Sequence, residues 1–271
     1  MRMIITADWH IRNTRPRCRI DEDWIKTQQK ALNQIAEICE NKNAPLMVVG
    51  DIFNSNSDTS FECINMVQKL ADRISGIYIL AGNHDLPYHS SENINKSAIG
   101  VLLQSENIYK IEDYSDEFSA PNFDEERNPM PYMFIHTLTI PSKDKPEFIE
   151  CETPESLLKK YPTAKWIFTG DYHKNFVYEK DGRYVINPGC LIRQVSDMKD
   201  YQCGVFWAQT EQHSGCGAAS PSQGHRDPDS LRAALSLGGE APAWESAWGA
   251  SFPSERALPA GGFGSVHTPS P

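Results

Sequence analysis

Asp8 and His10, Asp51, Asn83 with His84 and Asp85, His136, and Asp171 with His173 are the side chains whose types and spacing could do chemistry in this sequence. Most fall in short motifs: Asp8-Trp9-His10, Gly50-Asp51, Gly82-Asn83-His84-Asp85 and Gly170-Asp171-Tyr172-His173. An apolar run such as Ile77 to Leu80 that stops at a glycine and then presents Asn-His-Asp has no packing reason to end that way. Asn83 offers an amide oxygen to a cation, His84 a titratable imidazole, and Asp85 a carboxylate that could orient that imidazole. Singly, each residue has a plainer reading. An Asp after a strand caps a helix, an Asn makes a turn, and a histidine on an alternating strand is a hydrogen-bonded core residue. Jointly the plainer readings fail, because five apolar segments each end at, or carry, a ligand-type side chain.

Asp8, His10, Asp51, Asn83, His136, Asp171 and His173 are therefore the candidate metal ligands. Oxygen and imidazole donors without a thiolate suit Mn²⁺, Mg²⁺, Fe or Zn²⁺ in a reactive centre rather than a structural zinc. The set exceeds what one ion needs, so two divalent ions sharing a carboxylate are expected. Paired ions typically sit ~3.5–4 Å apart and assist in-line displacement at phosphorus by water. The sequence shows no Ser/His/Asp triad and no P-loop.

The elements that must position these residues follow from hydrophobic periodicity. Met1 to Ala7, Leu46 to Val49 and Ile77 to Leu80 read as buried strands. Between them, Trp24 to Lys42 and about Thr59 to Ile74 carry apolar residues at helical spacing, the second with Phe61, Ile64, Val67, Leu70 and Ala71 on one face. Asp23 is placed to cap the first helix. Strand-helix-strand-helix-strand predicts a parallel sheet, with the polar ends of its strands on one rim. Further on, short elements are expected at Ser97 to Leu103 (helix), Ile108 to Ile111 (strand) and Thr153 to Tyr161 (helix, with Pro154 after its cap). Tyr132 to Ile140 reads as an alternating strand containing His136, Lys165 to Thr169 as a buried one, and Gly204 to Ala208 as the last. Phe176 to Glu179 and Arg183 to Ile186 flank the hairpin signal Lys180-Asp181-Gly182. Ser115 to Pro131 reads as an acidic surface loop.

The 271 residues carry a net charge of −10, which argues against a chain held on nucleic acid or membrane by bulk charge. A carboxylate-rich site whose ions cancel its charge remains compatible with a nucleic-acid enzyme. The 7 cysteines include no Cys-x-x-Cys pair, so reduced thiols and a cytoplasmic setting are expected. No signal-peptide pattern opens the chain, and no apolar run is long enough to span a bilayer. From about Gln209 the composition changes: Lys, Asn, Ile, Tyr and Met vanish, and Gly, Ala, Ser and Pro dominate. Residues 209–271 therefore read as a low-complexity tail, disordered or not native to the domain at 1–208, with only a hint of pattern at Ser230 to Leu237.

The motif set resembles the calcineurin-like metallophosphoesterase superfamily. Within it, Ile4-Ile5-Thr6-Ala7-Asp8-Trp9-His10 and Asn187-Pro188-Gly189-Cys190-Leu191-Ile192-Arg193-Gln194 resemble the SbcD-type nuclease subunits of double-strand-break repair and their phage counterparts. The resemblance implies an α/β fold, a layered sandwich of β-sheets flanked by helices. It implies that Asp8, His10 and His173 hold one ion, that Asn83, His136 and Asp171 hold the other, and that Asp51 bridges. His84 would be the general acid at the leaving oxygen, oriented by Asp85. Manganese, exonuclease and endonuclease activity on DNA, a homodimer and a coiled-coil SMC/ABC-type ATPase partner are further implications. The family usually has Gly-His-x-His where this chain has Gly170-Asp171-Tyr172-His173, a harder ligand that should favour Mn²⁺ or Mg²⁺ over zinc. The tail stands where the family keeps its DNA-capping and ATPase-binding parts.

Arg12, Arg15, Arg17 and Arg19 follow the first metal motif. They read equally well as phosphate contacts at the mouth of the site and as a solvated loop. With Arg193 they complete the candidate substrate-binding residues. Two other functions compete with a DNA nuclease: a phosphatase or small-molecule phosphodiesterase on the same scaffold, and a non-catalytic platform for DNA or an ATPase.

Overall fold

The apolar runs become strands because both of their faces can be buried. β1 (Arg2–Thr6), β2 (Leu46–Val49) and β3 (Ile77–Leu80) lie side by side and parallel, paired from Ile4↔Leu46 and Leu46↔Ile77. The computed structural model describes residues 2–56, 59–111, 132–198, 201–209 and 231–236. The acidic loop predicted at Ser115 to Pro131 lies outside them.

α1 (Trp24–Lys42) has the predicted bounds. The Asp23 carboxylate accepts the Lys26 N–H at 3.0 Å, and Asn43 closes the helix in the left-handed region at φ 47°. α2 (Phe61–Ala71) is shorter than predicted and starts from a Ser60 cap. Its buried stripe is Cys63, Met66, Val67, Leu70 and Ala71. Phe61, expected on that stripe, is 86% exposed. It precedes Cys63 by two residues, about 200° around a helix, which places it on the opposite side. α3 (Ala98–Leu102) leads to β4 (Ile108–Lys110), parallel to β3. β9 (Gly204–Gln209) runs antiparallel to β1, and β10 (Leu231–Ser236), within the tail segment, pairs antiparallel with β9. The order of this first sheet is β10-β9-β1-β2-β3-β4.

A second sheet contains β5 (Tyr132–Ile135), β6 (Trp166–Thr169), β7 (Phe176–Lys180) and β8 (Arg183–Asn187), in the order β5-β6-β8-β7. α4 (Pro154–Lys160) packs on it behind a capping box of Thr153 and Ser156. The β7–β8 hairpin turns at Asp181 (φ 54°) and Gly182 (φ 72°), the positive-φ pair that a two-residue hairpin demands. β5 stops at Ile135, whereas alternation predicted a strand to Ile140. Its ladder with β6 ends at Ile135↔Thr169, so His136 stands just past the strand.

Alternation sorts the core into layers. Ile4, Val48 and Ile79 face Leu32, Ile35, Val67 and Leu70 of the helices. Met3, Ile5, Met47 and Leu80 face Phe134, Trp166 and Phe168 of the second sheet. On that sheet's far side, Ile135, Ile167 and Val185 meet Leu157 and Leu158. The layers are helix, sheet, sheet, helix, and the carboxyl ends of β1, β2, β3, β5 and β6 gather at one rim.

Candidate metal centre

Asp8 and His10 follow β1, Asp51 follows β2, Asn83 and His84 follow β3, His136 follows β5, and Asp171 and His173 follow β6. Four of these leave their strands in the left-handed region: Asp8 (φ 51°), His10 (φ 47°), Asp51 (φ 53°) and Asp171 (φ 73°). For residues with a Cβ that conformation costs roughly 1–2 kcal/mol each. The backbone holds it with a ladder that continues past the strands, Asp8 N–H to Gly50 O at 3.1 Å and His10 N–H to Asp51 O at 3.0 Å. Gly50 (φ +84°) also has to be glycine for space, since a Cβ there would lie 2.0 Å from His136 Nδ1.

The side chains converge on two points that share Asp51. At the first, His10 Nε2 lies 3.0 Å from His173 Nε2 and 3.7 Å from Asp51 Oδ2. At the second, His136 Nε2 lies 3.0 Å from Asn83 Oδ1 and 3.4 Å from Asp51 Oδ2. Asp8, His10 and His173 form one triad whose ligand atoms all lie within 4.8 Å of one another; Asp8, Asp51 and His136 form another, and His10, Asp51 and His84 a third. His136 Nδ1 donates to the Val49 carbonyl at 2.9 Å, because a carbonyl only accepts. That anchors the ring and leaves Nε2 facing the oxygens of Asn83 and Asp51. The His84 ring, edge-on to His10 at 5.0 Å, is exposed.

The electrostatics are those of a cation site. Burial pushes the Asp8 carboxyl up to about 7 and the His10 imidazole down to about 3. Burial also acts to raise Asp51, but the hydrogen bond and charge of His136 outweigh it and hold Asp51 at about 2. Burial acts to lower His136, and the hydrogen bond and charge of Asp51, with the charge of Asp8, carry it instead to about 10. A proton between Asp51 and His136 thus occupies the second focus. Asp8 Oδ2 is buried without a hydrogen-bond partner. A buried carboxylate oxygen left unpaired is costly, and a divalent ion would relieve it. The donor set, carboxylates and imidazoles with an amide oxygen, fits divalent metal ions.

Asp85, Asp171 and Arg12 make contacts that residue type did not announce. Asp85 does not orient His84: its carboxylate accepts the N–H groups of Ile52 (3.2 Å), Phe53 (2.9 Å) and Gly82 (3.0 Å), tying two strand-end loops together. The His84 ring is held by Asn54, whose carbonyl accepts from Nδ1 at 2.9 Å. Asp171 gives its backbone N–H to Asp8 Oδ1 at 3.0 Å, and its carboxylate is in none of the three triads. Arg12 donates to Asn54 Oδ1 (3.0 Å) and Gln194 Oε1 (3.1 Å). Arg15 donates to the Asp21 carbonyl, Arg17 is exposed, Arg19 pairs with Asp21 at 2.7 Å, and Arg193 is half-buried. Sequence reasoning missed Asn54 and gave Gln194 no role beyond its place in the nuclease-like motif. The only signal for Asn54 was its position three residues after Asp51.

The family model of the calcineurin-like phosphoesterases matches residues 1–188. No curated protein matches the chain. Among solved structures, a novel archaeal phosphodiesterase aligns at 15% identity over 78% of this chain and 94% of its own, with a TM-score of 0.43. A putative 5'-nucleotidase from Staphylococcus aureus aligns at 13% identity over 78% of this chain and 51% of its own, with a TM-score of 0.47. Vps29 from Entamoeba histolytica, in complex with zinc, aligns at 14% identity over 79% and 88%, with a TM-score of 0.38. The family match spans every strand whose end supplies a ligand, from Asp8 to His173, and on it the chain belongs to the calcineurin-like phosphoesterases, metal-dependent enzymes of phosphoester hydrolysis.

Proposed function

We propose that this chain is a divalent-metal-dependent phosphodiesterase that hydrolyses DNA, an SbcD-like nuclease using two Mn²⁺ ions. The observation that carries the reading is the pair of donor foci sharing Asp51, with the His84 ring exposed beside them. Asp8, His10 and His173 would hold one ion, Asn83 and His136 the other, and Asp51 would bridge. The chemistry such a pair supplies when bound is charge at the phosphoryl oxygens and a more acidic water. The Nδ1–H of His84 is committed to the Asn54 carbonyl, so Nε2 is the atom left to take up a proton from solvent and pass it to the leaving oxygen, the ring returning to its Nδ1–H form. Burial of Asp8, His10 and Asp51 keeps bulk water from competing for the donors.

Support for DNA comes from the segment that resembles the nuclease subunits, which is built into the wall of the site. Cys190 N–H donates to the His173 carbonyl at 3.0 Å and Leu191 N–H to the Asp8 carbonyl at 3.3 Å. In this reading an SMC/ABC-type ATPase is the partner, supplying the DNA-holding surface. The test presents the Mn²⁺-loaded chain with linear DNA, bis-p-nitrophenyl phosphate and p-nitrophenyl phosphate. DNA and the diester should be cleaved and the monoester left nearly untouched; a monoester turned over faster than both would make the chain a phosphatase. His84→Ala should keep its metal and lose about 10²–10⁴-fold in turnover.

A further inference from the structure

We propose that Arg12 is a positioning residue for His84, acting through Asn54. The guanidinium is a two-pronged clamp. One nitrogen, Nη1, donates to the Asn54 side chain at 3.0 Å, and Nη2 donates to Gln194 Oε1 at 3.1 Å. Gln194 is 8% exposed, so this second prong anchors in the core. The Arg12 backbone is pinned from the other side by the fully buried Gln28, which accepts its N–H at 3.0 Å and donates to its carbonyl at 2.9 Å. Asn54 is thereby held at both ends, its side chain by Arg12 and its N–H by the Ile11 carbonyl at 3.2 Å. What it presents to the site is its own carbonyl, the acceptor of the His84 Nδ1–H.

The consequence is a fixed tautomer. A histidine exposed at the rim would exchange its proton between Nδ1 and Nε2 and turn about its side-chain bonds. The Asn54 carbonyl keeps the neutral ring's proton on Nδ1 and leaves Nε2 free to take up the proton it passes on. An arginine suits this better than a lysine, since the planar fork meets two fixed acceptors at once. Arg12 touches neither substrate nor metal ligand in this scheme, and its residue type alone suggested a phosphate contact.

This inference rests on the proposed role of His84, so its test reads the ring as well as the rate. ¹⁵N spectra of the Mg²⁺-loaded full chain, assigned with a His84→Gln control, report the His84 tautomer directly. In the wild type His84 should show a protonated Nδ1. In Arg12→Ala that signature should give way to exchange between tautomers. The turnover number on bis-p-nitrophenyl phosphate should fall about tenfold to a hundredfold, with KM within twofold and metal content unchanged. Asn54→Ala should reproduce the effect, and Asn54→Asp, which keeps an oxygen for Arg12, should restore both signature and rate. Should Arg12→Ala fail to fold, the Asn54→Ala and Asn54→Asp pair decides. A wild-type tautomer in Arg12→Ala and Asn54→Ala overturns the inference. A shifted tautomer with undiminished turnover in His84→Ala supports the clamp and removes His84 from the chemistry instead.

Discussion

Asp51 is the residue on which both foci depend, and its partner His136 shows how. Metal-free, the two form a buried ion pair, with His136 raised to about 10 and Asp51 held at about 2. The raised His136 contributes stability that is complete below its ordinary value near 6.5 and lost as pH rises through about 10. The depressed Asp51 contributes stability that is lost as pH falls from 3.8 through about 2. Ligation needs the neutral imidazole, so a metal must displace that proton. Titration calorimetry with Mn²⁺ at neutral pH, in buffers of differing ionisation heat, should therefore show release of more than one proton per chain, roughly one from this pair and part of one from Asp8. Affinity should climb with pH toward about 10. Heats independent of buffer would mean that His136 is not a ligand. Asp51→Asn should abolish both the proton release and the binding of both ions, as metal analysis would show. The ligand identities were legible in the sequence because few plainer roles explain Asp, His and Asn at consecutive strand ends. Asp85 and Asn54 were misread or missed because their contacts run through backbone groups, which residue type does not announce, and the partners of Arg12 (Asn54 and Gln194) lie far from it in sequence.

At the level of elements, local signals were reliable and long-range ones were not. The bounds of α1 follow from the Asp23 cap and a stripe of apolar residues, and the β7–β8 turn from Asp181-Gly182. Phe61 and the overlong β5 are failures of periodicity at element ends, where pairing or packing with another element decides. The turn after β6 matters most for function. Asp171 sits at φ 73° with its N–H spent on Asp8, and its short carboxylate joins no triad. With Asp8 and Asp51 near both foci, the Asn83–His136 focus adds one imidazole and an amide oxygen where the other adds two imidazoles. Two Mn²⁺ ions should bind with clearly unequal affinity. Asp171→His, which places a longer imidazole arm in the same turn, should tighten the weaker one by about tenfold, about 1.4 kcal/mol. Asp171→Ala should leave it within twofold. Equal affinities in the wild type, or a large loss in Asp171→Ala, would show that the carboxylate does reach the ion.

Across the whole molecule, the two sheets meet through an apolar layer between them and through the rim. Met3, Ile5 and Met47 pack on Phe134, Trp166 and Phe168 in that layer, and no long helix bridges the sheets there among the described residues. At the rim, Asp8, His10, Asp51 and Asn83 come from the first sheet, and His136 and His173 from the second. Each focus draws on both sheets, so bound ions would fasten one to the other. The parallel pairing of β1 with β2 was legible, but the division of the strands between two sheets and the pairing of β1 with β9 were not, because nothing local reports them. The fastening has a thermodynamic reading: a ligand that binds only the folded chain adds RT ln(1 + [L]/Kd), about 2.7 kcal/mol at a hundred times Kd. For a domain of this size that is roughly 5–10 °C in Tm. Stripping the protein with a chelator should lower Tm by that much, and adding back Mn²⁺ should restore it. Hydrogen exchange should quicken at the rim segments of both sheets together, while the α1-facing core around Leu32 and Ile35 changes little. Exchange that rises in one sheet alone would mean the metal centre belongs to that sheet and does not join the two.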